Sequence, residues 1–203
     1  MHSIHNDLNS KFEAIEASGV TIEPSSLWSP ADHLENPVCY CASYTTVLAQ
    51  TLRVAGYPVR KVGLGKDGEL AIHHVCEVHL DGKWVLMDCL FDLVFVKEDG
   101  AFASSKEVNA NWSGYEVQVP ENYDPNYDYS TFYFTNWNKI PVVGKTIEAM
   151  PSLKLWLHNK GVSVRFLLFD VWLWIGVFLL ALSALFGFRL YVSKIQQERV
   201  RGR

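Results

Sequence analysis

Hydrophobic residues recur at helical spacing in two segments, residues 6–18 and 41–55. In the first segment the apolar positions are Leu8, Phe12 and Ile15. In the second, one face carries Tyr44, Val47, Leu48, Thr51, Leu52 and Ala55. Such spacing places the side chains on one side of a helix that packs against a core. The pattern predicts two helices, of which the second begins at Cys41 and is stopped by Gly56.

The clearest strand signal is a hairpin in the middle of the chain. Two mostly apolar runs, residues 71–80 and 83–90, flank Asp81-Gly82, a dipeptide typical of two-residue hairpin turns. Pairing the residues on either side of this turn places Val75 opposite Asp88. Shorter strands are predicted over residues 59–64, 93–96, 115–119 and 130–134, and a loop over 24–37. The fold class is therefore α+β, with helices packed on an antiparallel sheet.

Residues 166–188 form a long apolar segment whose only charge is Asp170, and residues 171–188 are an uncharged run. A helix of this length rises about 34 Å, enough to cross a hydrocarbon core of roughly 30 Å. Trp172 and Tyr191, near its two ends, suit the membrane interfaces. The pattern predicts a C-terminal transmembrane helix and a single-pass membrane protein. A buried helix of a soluble protein is the alternative interpretation.

The charge changes sign along the chain, although the net charge is only −4. Residues 1–150 carry 10 Lys and Arg against 20 Asp and Glu, whereas residues 151–203 carry 8 against 2. This division predicts an acidic folded domain over 1–150, a juxtamembrane segment over 151–165 and a basic tail over 189–203. The domain lacks the excess of Lys and Arg that is typical of a nucleic-acid-binding protein, so nucleic acid is not an expected partner.

Two signals conflict over the side of the membrane on which the domain lies. Five basic residues follow the predicted span and three precede it, which favours an extracytoplasmic domain. Residues 1–25 contain no apolar stretch typical of a secretory signal, which favours a domain that stays in the cytoplasm. We expect the cytoplasmic orientation, because a folded acidic domain does not cross a bilayer unaided.

The hairpin register predicts a catalytic constellation. His73 and Asp88 share one face as diagonal neighbours, roughly 7 Å apart at Cβ, close enough for a hydrogen bond, while His74 points to the other face. Cys41 begins a helix, where the helix dipole and free backbone N–H groups lower the pKa of a thiol. In a Cys41–His73–Asp88 triad the thiolate attacks a carbonyl, the imidazole transfers the proton and the carboxylate orients the imidazole. The Cys41 N–H would be one oxyanion donor, and the second is left open.

Two blocks of sequence around these residues resemble the transglutaminase-like superfamily, the papain-like group that includes transglutaminases, peptide N-glycanases and bacterial peptidases. The first block is Cys41 with its helix and the sequence Gly56-Tyr57-Pro58-Val59-Arg60. The second is His73-His74-Val75-Cys76-Glu77-Val78, followed by the turn that leads through Trp84 to Asp88. The resemblance covers residues 37–92 and implies a papain-like core. It makes His73, not His74, the catalytic histidine.

The resemblance implies a cysteine hydrolase (a peptidase or amidase) or an acyltransferase that acts on amide bonds of a peptide or protein. Hydrolysis and transamidation share one thioester and differ in whether water or an amine attacks it. No cofactor or metal is implied, and membrane proteins are possible further partners. The chain departs from the family pattern at Cys39, Val75 and Cys89, where Gly, Trp and Pro are frequent.

Two alternatives belong to other classes. A binding or scaffold domain of a membrane complex could keep this fold without chemistry, although the presence of Cys41 and His73 favours the enzyme. A thiol-metal or redox module could be built on Cys39-Tyr40-Cys41. A metal site formed by Cys39, Cys41, His74 and Cys76 is a related alternative, but this set lacks a standard zinc spacing. Cys76 and Cys89 are expected to fill the core, and Arg60 to pair with a carboxylate.

Overall fold

The computed structural model describes residues 1–25, 28–38, 40–133, 135, 137, 143–160 and 172–201. It divides the chain into two compact units, Met1–Ser163 and Val164–Arg203. The described elements of the first unit, in chain order, are α1 (His2–Ser18), α2 (Pro30–Glu35), α3 (Cys41–Val54), β1 (Val59–Lys66), β2 (Glu69–Leu80), β3 (Lys83–Asp88), β4 (Leu93–Val94), α4 (Ser105–Ala110), α5 (Trp112–Tyr115), a 3₁₀ turn (Glu116–Gln118), β5 (Asp128–Tyr133), α6 (Val143–Glu148) and α7 (Pro151–Asn159). The second unit contains α8 (Trp172–Arg201).

The described strands form a five-stranded antiparallel sheet in the order β4-β3-β2-β1-β5. The predicted hairpin register is confirmed, since Leu80 pairs with Lys83 and the ladder continues to Cys76 opposite Met87. Asp81 and Gly82 both have positive φ, at 48° and 81°, as a two-residue turn that follows the twist of the strands requires. The α+β class predicted from the pattern is confirmed.

Each face of the sheet is covered by a separate hydrophobic cluster. The α3 face buries Leu8, Tyr44, Val47, Leu48, Ala49, Val59, Cys76, Val78 and Cys89. The opposite face buries Val62, Leu64, Val75, Leu86, Leu93, Phe95, Ala103, Val108, Tyr115, Tyr123 and Tyr129. Alternate residues of β2 therefore contribute to different cores, because successive side chains of a strand point to opposite faces. This alternation decides which histidine of β2 faces α3.

Helix α3 is tied to the centre of the sheet by side-chain hydrogen bonds. Thr45 Oγ1 donates to the backbone oxygen of His74 at 2.7 Å, and Cys76 Sγ donates to the backbone oxygen of Thr45 at 3.3 Å. Helix α1 lies against α3 through buried Leu8, and the Tyr44 hydroxyl donates to Asn9. The N-terminal end of α3 is thus held over β2, close to His73 and His74.

Three local predictions were wrong. Residues 24–37 are not all loop, because Pro30–Glu35 forms a helix with a capping box in which Ser29 and Asp32 bond reciprocally. Residues 115–119 do not form a strand, because residues 115–118 are helical, and their apolar alternation does not mark a buried face, since Val117 is 85% exposed. Strand β3 ends at Asp88 rather than residue 90, because Asp88 Oδ1 accepts a hydrogen bond from the Leu90 N–H at 3.1 Å and turns the chain.

Part of the predicted transmembrane helix lies outside the described residues, namely 166–171. The remainder falls within α8, whose described apolar side chains are exposed, Leu180 and Phe186 by 72% and 67%. In the portion of the chain that the structure describes, we find no helix with the length and apolarity needed to cross a membrane. The transmembrane assignment remains a prediction from the sequence.

Candidate active site

The candidate nucleophile, Cys41, is the first residue of α3 and is partly exposed. The preceding residue, Tyr40, has φ 40° and ψ −122°, a conformation that residues other than glycine rarely adopt. Its backbone oxygen accepts the N–H groups of Ser43 and Tyr44, which closes the first turn of the helix. The strained residue therefore turns the chain sharply into α3, and strain of this kind is concentrated at functional sites.

His73 and Asp88 form a buried pair, as the hairpin register predicts. His73 Nε2 lies 2.6 Å from Asp88 Oδ2, and the two residues are 2% and 1% exposed. Since Nε2 faces the carboxylate, Nδ1 is the ring nitrogen left for the hydrogen bond between His73 and Cys41. The other oxygen of Asp88 accepts the Leu90 N–H, so this bond fixes the carboxylate that orients His73.

Sequence reasoning missed the contact that His74 makes with the nucleophile. His74 Nδ1 lies 3.8 Å from Cys41 Sγ, within the range of a sulfur hydrogen bond. Strand alternation places His74 on the α3 face, as expected, but α3 begins directly over that face. The thiol therefore has two neighbouring imidazoles, of which His73 is the one bonded to Asp88.

The surroundings of the thiol and of His73 favour a thiolate–imidazolium pair. Burial raises the pKa of Cys41, but hydrogen bonds from His73 and His74 and the charge of His73 outweigh it and lower the pKa to about 6. Burial lowers the pKa of His73, but hydrogen bonds to Asp88 and Cys41 and their negative charges raise it to about 9. The lowered pKa of the sulfur and the raised pKa of the ring favour a thiolate beside a protonated imidazole, the state that a nucleophilic cysteine needs.

The other described cysteines lie away from this chemistry. Cys76 and Cys89 are fully buried in the α3-side core. Burial raises the pKa of the Cys76 thiol to about 12 and that of Cys89 above its ordinary range. The structure thus places both in the packing role expected of them, whereas Cys39 lies outside the described residues. In the described parts of the chain, no three His, Cys, Asp or Glu side chains are grouped so that they could hold a metal ion.

Arg60 pairs with a carboxylate, as expected. Its Nε donates to Glu77 Oε2 at 2.7 Å, and Glu77 is 1% exposed and also accepts from Ser105 Oγ at 2.8 Å. Arg60 in addition donates to Asn159 at 2.7 Å and lies 4.2 Å from the centre of the Trp84 ring. Helix α7 is thereby joined to the same compact unit as the sheet.

We expect Arg60→Ala to lower the free energy of unfolding by about 3–5 kcal/mol, because it leaves the buried Glu77 carboxylate without its cation. Urea denaturation followed by circular dichroism measures this loss. The control is Lys83→Ala, which removes an ion pair to Glu107 whose side chains are 34% and 38% exposed. That variant should lose less than about 1 kcal/mol. Equal losses in the two variants would show that Arg60 is not a buried structural partner.

Comparison with protein-family models finds a match to the transglutaminase-like superfamily over residues 2–89. The match confirms the resemblance found in the sequence. It spans the chain from α1 through β3, the segment that carries Cys41, His73 and Asp88. Members of this superfamily are in general cysteine-dependent hydrolases or acyltransferases. Searches of curated proteins and of solved structures returned no match.

Proposed function

We propose that this chain is a cysteine-dependent hydrolase or acyltransferase that acts on amide bonds of a peptide or protein through a thioester on Cys41. The observation that carries the proposal is the buried 2.6 Å bond between His73 and Asp88, with the Cys41 thiol in hydrogen-bond contact with the His73 ring. The family match over residues 2–89 supports the same reaction class.

In the proposed reaction the Cys41 thiolate attacks the substrate carbonyl, and the Cys41 backbone N–H stabilises the oxyanion. His73 gives its proton to the leaving amine as the C–N bond breaks, which leaves a thioester on Cys41. Water or a second amine then attacks the thioester, and neutral His73 accepts its proton. Asp88 keeps the His73 ring oriented and stabilises its charged form throughout.

Acetyl transfer from p-nitrophenyl acetate tests this proposal without knowledge of the natural substrate. The thiolate displaces p-nitrophenolate and becomes an acetyl thioester, so one equivalent of coloured product should appear in a burst. Mass spectrometry of the quenched protein should locate one acetyl group on Cys41. Cys41→Ser should abolish the burst, and Cys76→Ser should retain it. A burst that survives Cys41→Ser would contradict the proposal.

We also propose that residues 166–188 anchor the protein to a membrane. What supports this is the uncharged run over 171–188 and the exposed apolar side chains of its described part, a combination that water does not favour. The full-length chain should sediment with membranes and need detergent for release, whereas a chain that ends at Ser163 should stay in solution with α7 intact. Full-length chain in the soluble fraction without detergent would contradict the anchor.

A further inference from the structure

The ring of His73 is surrounded by aromatic side chains as well as by Asp88. Tyr127 stacks on it face to face, with ring centres 4.6 Å apart and planes inclined by 14°. Phe91 and Tyr123 meet the ring edge-on at 5.7 and 6.4 Å. Phe91 follows β3, and the two tyrosines belong to the segment that precedes β5. The stacked contact is the closest of the three and lies against the face of the imidazole.

The segment that carries Tyr127 is held in place by its own contacts. Asp124 forms an ion pair with Lys66 at the end of β1, and its other oxygen accepts the Asn126 N–H at 3.0 Å. The Tyr123 ring meets the Tyr127 ring edge-on at 5.2 Å, and the Tyr123 hydroxyl is bonded to that of Tyr129. Tyr127 is partly buried, and it packs against the core on this face of the sheet as well as against the His73 ring.

Asp88 and Tyr127 contact different parts of the His73 ring. Asp88 bonds the edge of the ring at Nε2, and Tyr127 covers a face. The face of a tyrosine carries negative charge density, which attracts a cation above it. The titratable groups that face His73 are Asp88 from β3, Cys41 from α3, and Tyr123 and Tyr127 from the segment before β5. Stacking therefore favours the protonated ring and restricts its rotation out of the plane of Asp88.

We propose that Tyr127 is a positioning residue for the reaction on Cys41: its ring holds the His73 imidazole in line with Asp88 and favours the charged form of His73 that pairs with the thiolate. The inference rests on the proposed function, because it concerns the same thiolate–imidazolium pair. It adds a residue that lies far along the chain from the matched region over 2–89.

The test is the pH dependence of Cys41 alkylation by iodoacetamide in the purified full-length chain. Tyr127→Leu and Tyr127→Met remove the ring, so the pH at which alkylation begins should rise by roughly half to one pH unit. Tyr127→Phe keeps the aromatic face and should keep the wild-type profile. Tyr57→Leu, which removes an exposed tyrosine away from His73, is the control and should also leave the profile unchanged. Thermal unfolding of each variant confirms that it is folded.

The inference is overturned if either aliphatic variant is folded and keeps the wild-type profile, or if Tyr127→Phe shifts it as far as Tyr127→Leu. The Met side chain is closer to Tyr in length than the Leu side chain is. Tyr127→Met therefore serves as the folded aliphatic variant if Tyr127→Leu disturbs the packing of the segment. A wild-type profile that begins at the ordinary pKa of a thiol instead contradicts the proposed function, and this inference with it. The two failures are thus told apart by the wild-type measurement.

Discussion

Asp88→Asn should lower the rate at which Cys41 is acetylated by p-nitrophenyl acetate by about 10²–10⁴-fold, by analogy with triad aspartates. The amide is the same size as the carboxylate, and its oxygen can still accept the Leu90 N–H, so the turn after β3 is kept. Its NH₂ group, however, then faces His73 Nε2 and requires that nitrogen to accept a hydrogen bond. The ring proton moves to Nδ1, and His73 no longer takes a proton from Cys41.

The chain provides a matched control for this experiment. Asp92 lies four residues further on and pairs with His2, in a contact where the side chains are 25% and 77% exposed. Asp92→Asn removes the charge from a second His–Asp pair that does not touch Cys41. The rate should remain within about twofold of wild type, since exposed pairs contribute little. A full rate in Asp88→Asn, with circular dichroism unchanged, would remove Asp88 from the site.

The second large expected effect distinguishes the roles of His73 and His74, the two histidines next to the Cys41 thiol. His73→Ala should lower Cys41 acetylation by about 10²–10⁴-fold, the usual contribution of a general acid–base group. His74→Ala should lower it by less than about tenfold, because His73 and Asp88 remain and only a hydrogen bond to the sulfur is lost. The variants differ by one position, carry the same substitution and lie in the same strand. The reverse order of effects would assign the catalytic role to His74.

The pairing of His73 with Asp88 could be predicted from the sequence because it depends on one local feature. The Asp81-Gly82 turn fixes the register of the hairpin, and the register decides which side chains share a face. The helix α3 could also be predicted from local features, because the apolar spacing and the stop signal at Gly56 define it. These features and the family match concern the same part of the chain.

The contacts of His74 and Tyr127 could not be predicted, because they depend on how separate elements pack. Strand alternation assigns His74 to a face but does not say that the first turn of α3 lies over it. Tyr127 belongs to a segment without regular secondary structure, whose position depends on the Lys66–Asp124 ion pair and on aromatic packing. Residues 115–119 were misassigned for a related reason: an alternating pattern predicts a strand only where one set of side chains is buried.

The pH profile of iodoacetamide alkylation tests the central claim most directly, that Cys41 is a thiolate paired with His73. In the wild type, modification of Cys41, followed by mass spectrometry of its peptide, should rise with a midpoint near pH 6, while Cys76, with a pKa of about 12, stays unmodified at neutral pH. His73→Ala should move the midpoint toward the ordinary thiol value of about 8.5. A wild-type midpoint already near that value, or equal modification of Cys41 and Cys76 in the folded protein, would contradict the account.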